Sequence, residues 1–192
     1  MSTTVKAQAS QAQSDVLSEL PGELMMWVLI VSELFVFGAF LIVFLAVRVA
    51  NPGQFAADQA LLNQTAAAIN TIALVTSGFC AAAALRAREA GERRQARLWL
   101  AAAGSLGILF LVVKGFEYWS KAELGIGIDT SPFFTFYFLI TGFHALHVVA
   151  GIAILALVAW ADAARNMEAA VSFWHLVDLV WVLLFPIIYI LG

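Results

Sequence analysis

Apolar residues run in long blocks along this chain, and polar residues collect between the blocks. Five blocks, at about 24–47, 64–85, 98–119, 133–160 and 171–191, reach the roughly 20 apolar residues that a bilayer crossing needs. The fourth is the purest: from Phe133 to Trp160, 28 residues pass without Asp, Glu, Lys or Arg. The second is diluted by Asn70, Thr71, Thr76 and Ser77 and is rich in alanine. Small residues and hydroxyls suit close helix packing in lipid, so this span is expected against neighbouring helices with little lipid contact. Asn51-Pro52-Gly53 opens a polar loop to about Asn63, and a Gly-rich loop runs from Ser120 to Pro132. A short loop with Asp162, Arg165 and Glu168 separates the last two spans. No strand alternation, heptad array or internal repeat interrupts this pattern. The predicted fold is an all-α, multi-pass membrane bundle of five transmembrane helices over 21–192. A polar Ser/Gln/Ala-rich tail at 1–20 precedes it, and Pro21-Gly22-Glu23 marks the first helix start.

Composition agrees with the pattern. Hydrophobic residues make up 62% of the 192 and charged residues 12%, about half the charged share of an average soluble domain. A net charge of −3 is small and by itself says nothing about nucleic acid, but there is no basic domain to bind it, so no nucleic-acid partner is expected. The single cysteine, Cys80, can form neither an internal disulfide nor a cysteine zinc site, and reads as a small buried apolar residue.

The charges that remain inside the spans carry the chemistry, because polar groups at that depth are costly and need partners on other helices. His144 lies roughly 16 Å along the fourth span, near the bilayer midplane. His147, three residues on, is expected on the same face. Glu33 sits about 14 Å into the first span with no cation within one turn. A lone carboxyl there either meets a partner on another helix or stays protonated. The histidines of the fourth span match its depth, His144 being the first expected partner and His147 the second. His175 and Asp178 have the same i, i+3 spacing in the fifth span, and are expected to form a carboxylate–imidazole pair beside Trp174. Lys114 and Glu117 have it near the outer end of the third, where an ion pair is expected with Lys114 reaching toward the interface. Two histidines at i, i+3 cannot flank one haem iron, though a pair from two helices could, and the lack of a His-x-x-x-His or Glu-x-x-His motif weakens a metal site, so no metal or redox cofactor is expected in this chain alone.

Several of these segments resemble subunit III of the haem-copper oxidases. They are Thr141-Gly-Phe-His-Ala-Leu-His-Val148 and Phe173-Trp-His-Leu-Val-Asp-Leu-Val-Trp181, together with Ser32-Glu33, Leu61-Leu-Asn63 and Phe116-Glu-Tyr118. The similarity runs in order from about Pro21 to Leu191. Long members of that family have seven helices; this chain resembles a five-helix branch. Pro-Gly-Glu before Met-Trp, and Leu-Val-Val-Lys-Gly-Phe-Glu-Tyr-Trp-Ser-Lys, are most similar to the NorE-type proteins encoded with nitric oxide reductases. The resemblance implies a non-catalytic accessory subunit of a respiratory complex, either a nitric oxide reductase or a terminal oxidase, in the bacterial inner (cytoplasmic) membrane. Its roles would be complex stability or assembly, proton uptake and lipid binding. It also implies that Glu33 matches the family's carbodiimide-reactive carboxylate. Haem and metal would lie in the large catalytic partner subunit, and membrane phospholipid would be the one ligand bound here. Two other readings of the residues stay open at this point: a small proton or ion transporter built on Glu33 and the intramembrane histidines, and a membrane b-type cytochrome.

Orientation follows from basic residues. With the N-terminus inside, the inner set is Lys6, Arg86, Arg88, Arg93, Arg94, Arg97 and Arg165; the outer set is Arg48 and Lys121. The positive-inside rule therefore predicts an N-in, C-out topology. Reporter fusions within 86–97 should be active in the cytoplasm, and a fusion after Gly192 should be active only outside it. Cytoplasmic activity of the C-terminal fusion would contradict this orientation.

Overall fold

The structure is a computed structural model that describes residues 24–161 and 164–191. The polar tail at 1–20, the Pro21-Gly22-Glu23 start and Asp162 fall outside those residues. Six α-helices follow in order: α1 (Leu24–Ala50), α2 (Pro52–Ala60), α3 (Gln64–Glu89), α4 (Arg93–Glu123), α5 (Pro132–Ala161) and α6 (Ala164–Phe185), which continues as one π-helical stretch, Pro186–Ile190. All except α2 are long and apolar enough to cross a membrane, which gives the five spans expected from the sequence.

The loop expected between the first two spans is instead the short helix α2. Pro52 occupies its first turn, where a missing N–H costs nothing. Its one buried face is carried by Phe55 and Gln59, four residues apart. The Phe55 ring packs 5.5 Å from both Phe44 of α1 and Phe133 of α5. Two inward residues among polar ones leave no apolar stripe, so tertiary contact rather than periodicity makes this helix.

Local chemistry sets the other boundaries. The side chain of Asn63 accepts from Ala66 N at 3.0 Å and caps α3. α3 and α4 both end in a Schellman turn. Gly91 (φ 82°) and Gly125 (φ 72°) take the left-handed position that disfavours a Cβ. The bonds Glu92 N to Ala87 O and Ile126 N to Lys121 O, each 2.9 Å, close the two turns. Ser131 caps α5 by accepting from Phe134 N and donates to Asp58 of α2 at 2.6 Å.

α6 is the axis of the bundle. The ring of Trp174 is fully buried in a slot between Gly107 of α4 and Gly151 of α5. A Cβ at either glycine would stand 2.6–2.7 Å from the ring. Its indole N–H donates to Ser77 of α3 (3.0 Å), and Ser77 donates to Ala103 O of α4 (2.7 Å). One side chain thus ties α6 to three other helices. α3 packs through Ala67, Ala81, Ala84 and Gly78, as expected of a span poor in bulk. It nevertheless turns Ile72, Val75 and Phe79 outward, so its lipid-facing surface is larger than the sequence implies. α1 is the most peripheral span, with 11% of its apolar window buried against 56% for α6.

Candidate functional site

Three polar centres lie within the spans. The largest surrounds Lys114 on α4. Its ammonium donates to Glu117 Oε2 (3.0 Å), to the Tyr137 hydroxyl of α5 (3.1 Å) and to the Tyr189 hydroxyl of the π-helical stretch. Tyr189 in turn donates to Glu117 (3.0 Å). All three ammonium protons therefore have acceptors, and the rings of Tyr118, Tyr137, Trp181 and Tyr189 lie within 4.6–5.5 Å of the nitrogen. The pair expected from the i, i+3 spacing is present, but Lys114 does not reach for the interface: it is 2% exposed. The aromatic acceptors on α5 and beyond α6 hold it inward. Tyr118 extends the cluster by donating to Thr141, whose hydroxyl is committed to Tyr137 O.

The C-terminal stretch that carries Tyr189 is held from α2 and α3. Pro186 starts a π-helical turn, and the end of that helix at Ile190 leaves backbone carbonyls without helical donors. Gln59 donates to Ile188 O (3.0 Å) and Gln64 to Tyr189 O (2.9 Å). Sequence reasoning missed Tyr137, Tyr189, Gln59 and Gln64. The available signal was a tyrosine inside the charge-free span and a second after Pro186, both at the depth of Lys114.

The second centre joins α1 to α5. Glu33 Oε2 lies 3.1 Å from His147 Nε2. His144, the first expected partner, points elsewhere. Three residues advance a helix by about 300°, so the two imidazoles diverge by about 60° around the axis. His147 faces α1. His144 is fully buried between α4 and α6, its ring stacked 5.2 Å from Trp181 and edge-on to Phe110 at 5.6 Å. Neither His144 nitrogen has a hydrogen-bond partner among the described residues. His147 Nδ1 donates to Phe143 O (2.9 Å). A neutral His147 then has a bare Nε2, so the contact with Glu33 needs one proton, carried either by the carboxyl or by the ring. The Nε2–Oε2 approach is close but not well aligned, since Glu33 Oε2 accepts no hydrogen bond of good geometry. With side chains 18% and 22% exposed, the pair sits at the rim of the bundle.

The third centre lies between α3 and α6. Asp178 and His175 do not form the expected pair: both Asp178 oxygens lack a hydrogen-bond partner among the described residues. The i, i+3 spacing does bring both side chains to α3, but they part there. Asp178 lies over Gly78, while His175 stands on the outer edge, exposed. Trp174, singled out beside them, bonds Ser77 and not the histidine. Among the described residues no three His, Cys, Asp or Glu side chains converge as a metal-ligand set.

The Glu33–His147 contact makes a specific prediction. His147→Phe should raise the labelling rate of Glu33 by a hydrophobic carbodiimide several-fold, because the carboxyl loses the imidazole 3.1 Å from it. His144→Phe should leave that rate unchanged. Glu33→Gln, which can donate to Nε2, should keep detergent stability within about 0.5 kcal/mol of the parent, and Glu33→Leu should cost about 1–3 kcal/mol. Equal labelling in both histidine variants would show that the contact is not formed.

Comparison with known proteins bears on the whole arrangement. A family model described as cytochrome c oxidase subunit III matches residues 20–192. Cytochrome c oxidase subunit 3 of Thermostichus vulcanus is 29% identical, over 100% of this chain and 98% of that protein. The probable cytochrome c oxidase subunit 3 of Mycobacterium bovis is 30% identical over 82% of each. Cytochrome c oxidase subunit 3 of Synechocystis is 30% identical over 64% of this chain, and the match spans 55% of that relative's length. With five apolar helices in sequence and the matching region covering every one of them, this chain belongs to the cytochrome c oxidase subunit III family.

Proposed function

We propose that this chain is a non-catalytic accessory subunit that packs, within the bacterial inner membrane, against the haem-containing catalytic subunit of a haem-copper oxidase-superfamily complex. The observation that carries this reading is the family match from residue 20 to 192, which takes in all five spans. The side-chain chemistry supports it. Among the described residues, the one buried ion pair is satisfied within the chain: Lys114 is spent on Glu117, Tyr137 and Tyr189. That arrangement holds helices together. Its role is to support assembly and stability of the complex. The Glu33–His147 contact at the bundle rim is the feature through which the chain contributes to proton uptake.

Within the family, the run Leu111-Val-Val-Lys-Gly-Phe-Glu-Tyr-Trp-Ser-Lys121 favours the nitric oxide reductase-associated branch over a terminal oxidase. Lys114 gives that run a structural meaning, since it builds the cage that fixes the C-terminal turn.

The test is extraction of tagged chain from its native membrane in mild detergent, with mass spectrometry of what accompanies it and an absorption spectrum. The expected result is a larger haem-containing subunit in near-equal amount, whose sequence decides between nitric oxide reductase and oxidase. A chain that purifies alone and carries its own Soret band, or that moves protons by itself in liposomes, would overturn the proposal.

A further inference from the structure

Outside the three polar centres, one more buried cation stands on α4. Lys121 is 5% exposed, and its ammonium donates to Leu61 O in the turn between α2 and α3. A backbone carbonyl takes one of three protons and supplies no countercharge. The nearby carboxylates are spent elsewhere: Glu117, one turn earlier, on Lys114 and Tyr189, and Asp58 on Ser131. Among the described residues Lys121 forms no ion pair. A buried ammonium without a counterion is costly, so the site calls for an anion.

The ammonium stands in the wall of a groove of about 640 Å³, a volume typical of small-molecule sites. Lys121 and Leu61, the residue it bonds, both line that groove. The N-terminus of α3 lines it as well, through Asn63, Gln64 and Thr65. Ala67 N makes the first intrahelical bond of α3, to Asn63 O, and the Asn63 side chain caps Ala66 N. The amides of Gln64 and Thr65 are left without an acceptor among the described residues, at the positive end of a helix of 26 residues. Buried ammonium and helix N-terminus thus face one space, and both favour negative charge there. The groove lies at the outer end of the bundle in the N-in orientation. Trp119, two residues before Lys121 and 68% exposed, marks the headgroup level. Leu61 and Leu124, both exposed, give the groove an apolar border.

We propose that this groove is a binding site for a phosphate-type oxyanion, held between Lys121 and the first amides of α3. A tetrahedral phosphate can offer separate oxygens to the ammonium and to the amides at once. At this depth the source at hand is an outer-leaflet phospholipid, whose glycerol and acyl carbons can lie against Leu61 and Leu124. A headgroup with its own ammonium brings a second cation beside Lys121, so phosphatidylglycerol fits better than phosphatidylethanolamine.

Titration of the delipidated full chain in neutral detergent tests the site. The probes are phosphatidylglycerol, a diacylglycerol with the same acyl chains but no phosphate, and inorganic phosphate. Bound lipid is counted by native mass spectrometry, and each probe is scored for its shift of the melting temperature. Phosphatidylglycerol should bind and raise the melting temperature, and the diacylglycerol should not. Inorganic phosphate in excess that leaves the lipid in place supports the site with lipid as its source; inorganic phosphate that displaces the lipid and raises the melting temperature by itself supports it with a free anion. Lys121→Met should weaken binding at least tenfold, and Lys121→Arg should restore most of it. Lys121→Met also loses the bond to Leu61, so Thr65→Glu serves as the second variant. An acid in the first turn suits the helix, yet it puts a carboxylate into the groove. Binding should again fall at least tenfold in a chain that stays folded. Diacylglycerol binding as tight as that of phosphatidylglycerol would overturn the inference. So would binding that survives both Lys121→Met and Thr65→Glu, or a chain that takes up neither phosphate compound.

Discussion

A lysine ammonium cannot stay in the interior of a membrane bundle unless every proton on it has an acceptor and its charge has a counterion. The effective cost of burying one ion is several kcal/mol even after relaxation. Lys114, 2% exposed, meets the condition through Glu117 and two tyrosine hydroxyls brought from different parts of the chain. Much of the outer half of the molecule can be traced from that demand. Tyr189 must meet α4 at the end of the last span, and Pro186 and the π-helical stretch turn the chain so that it does. That stretch has loose carbonyls, which Gln59 and Gln64 take up. Gln59 is in place because α2 is a helix docked on Phe44 and Phe133.

The middle of the bundle obeys a different constraint, which is shape. In lipid the hydrophobic effect does not drive helices together, so close approach and hydrogen bonds must. Trp174 supplies both. Its ring fits between Gly107 and Gly151, and its N–H reaches Ser77. Seven residues on, Trp181 repeats the arrangement one level outward, donating to Thr71 (3.0 Å) and stacking on His144. Together these side chains put α6 at the centre and leave α1 at the edge. The partly buried Glu33–His147 contact lies where α1 joins the bundle.

The fold was legible because its signal is long-range and redundant: five apolar blocks and their basic connector survive any local ambiguity. The i, i+3 pair Lys114–Glu117 was legible because both partners lie on one helix. What the sequence hid is everything that depends on which way a helix is rotated. His144 and His147 share a turn, yet one faces Trp181 and the other Glu33. His175 and Asp178 share the same spacing, yet one is exposed and the other lies over Gly78. Spacing gives proximity along a helix; the neighbours that decide the partner come from elsewhere in the chain. α2 was hidden for a related reason, since its helical face is defined by rings on α1 and α5.

The central claim is that the intramembrane charges of this chain serve its own cohesion. A double-mutant cycle on Lys114 and Glu117, read as thermal stability in mild detergent, tests it most directly. Lys114→Met leaves a buried carboxylate with tyrosine donors only, and Glu117→Leu leaves a buried ammonium without its counterion. Each single change should cost about 3–5 kcal/mol, and the double change should cost clearly less than their sum, because it removes both uncompensated charges together. Single variants that melt with the unaltered chain, or costs that simply add, would contradict the account and return Lys114 to a solvated place at the membrane surface.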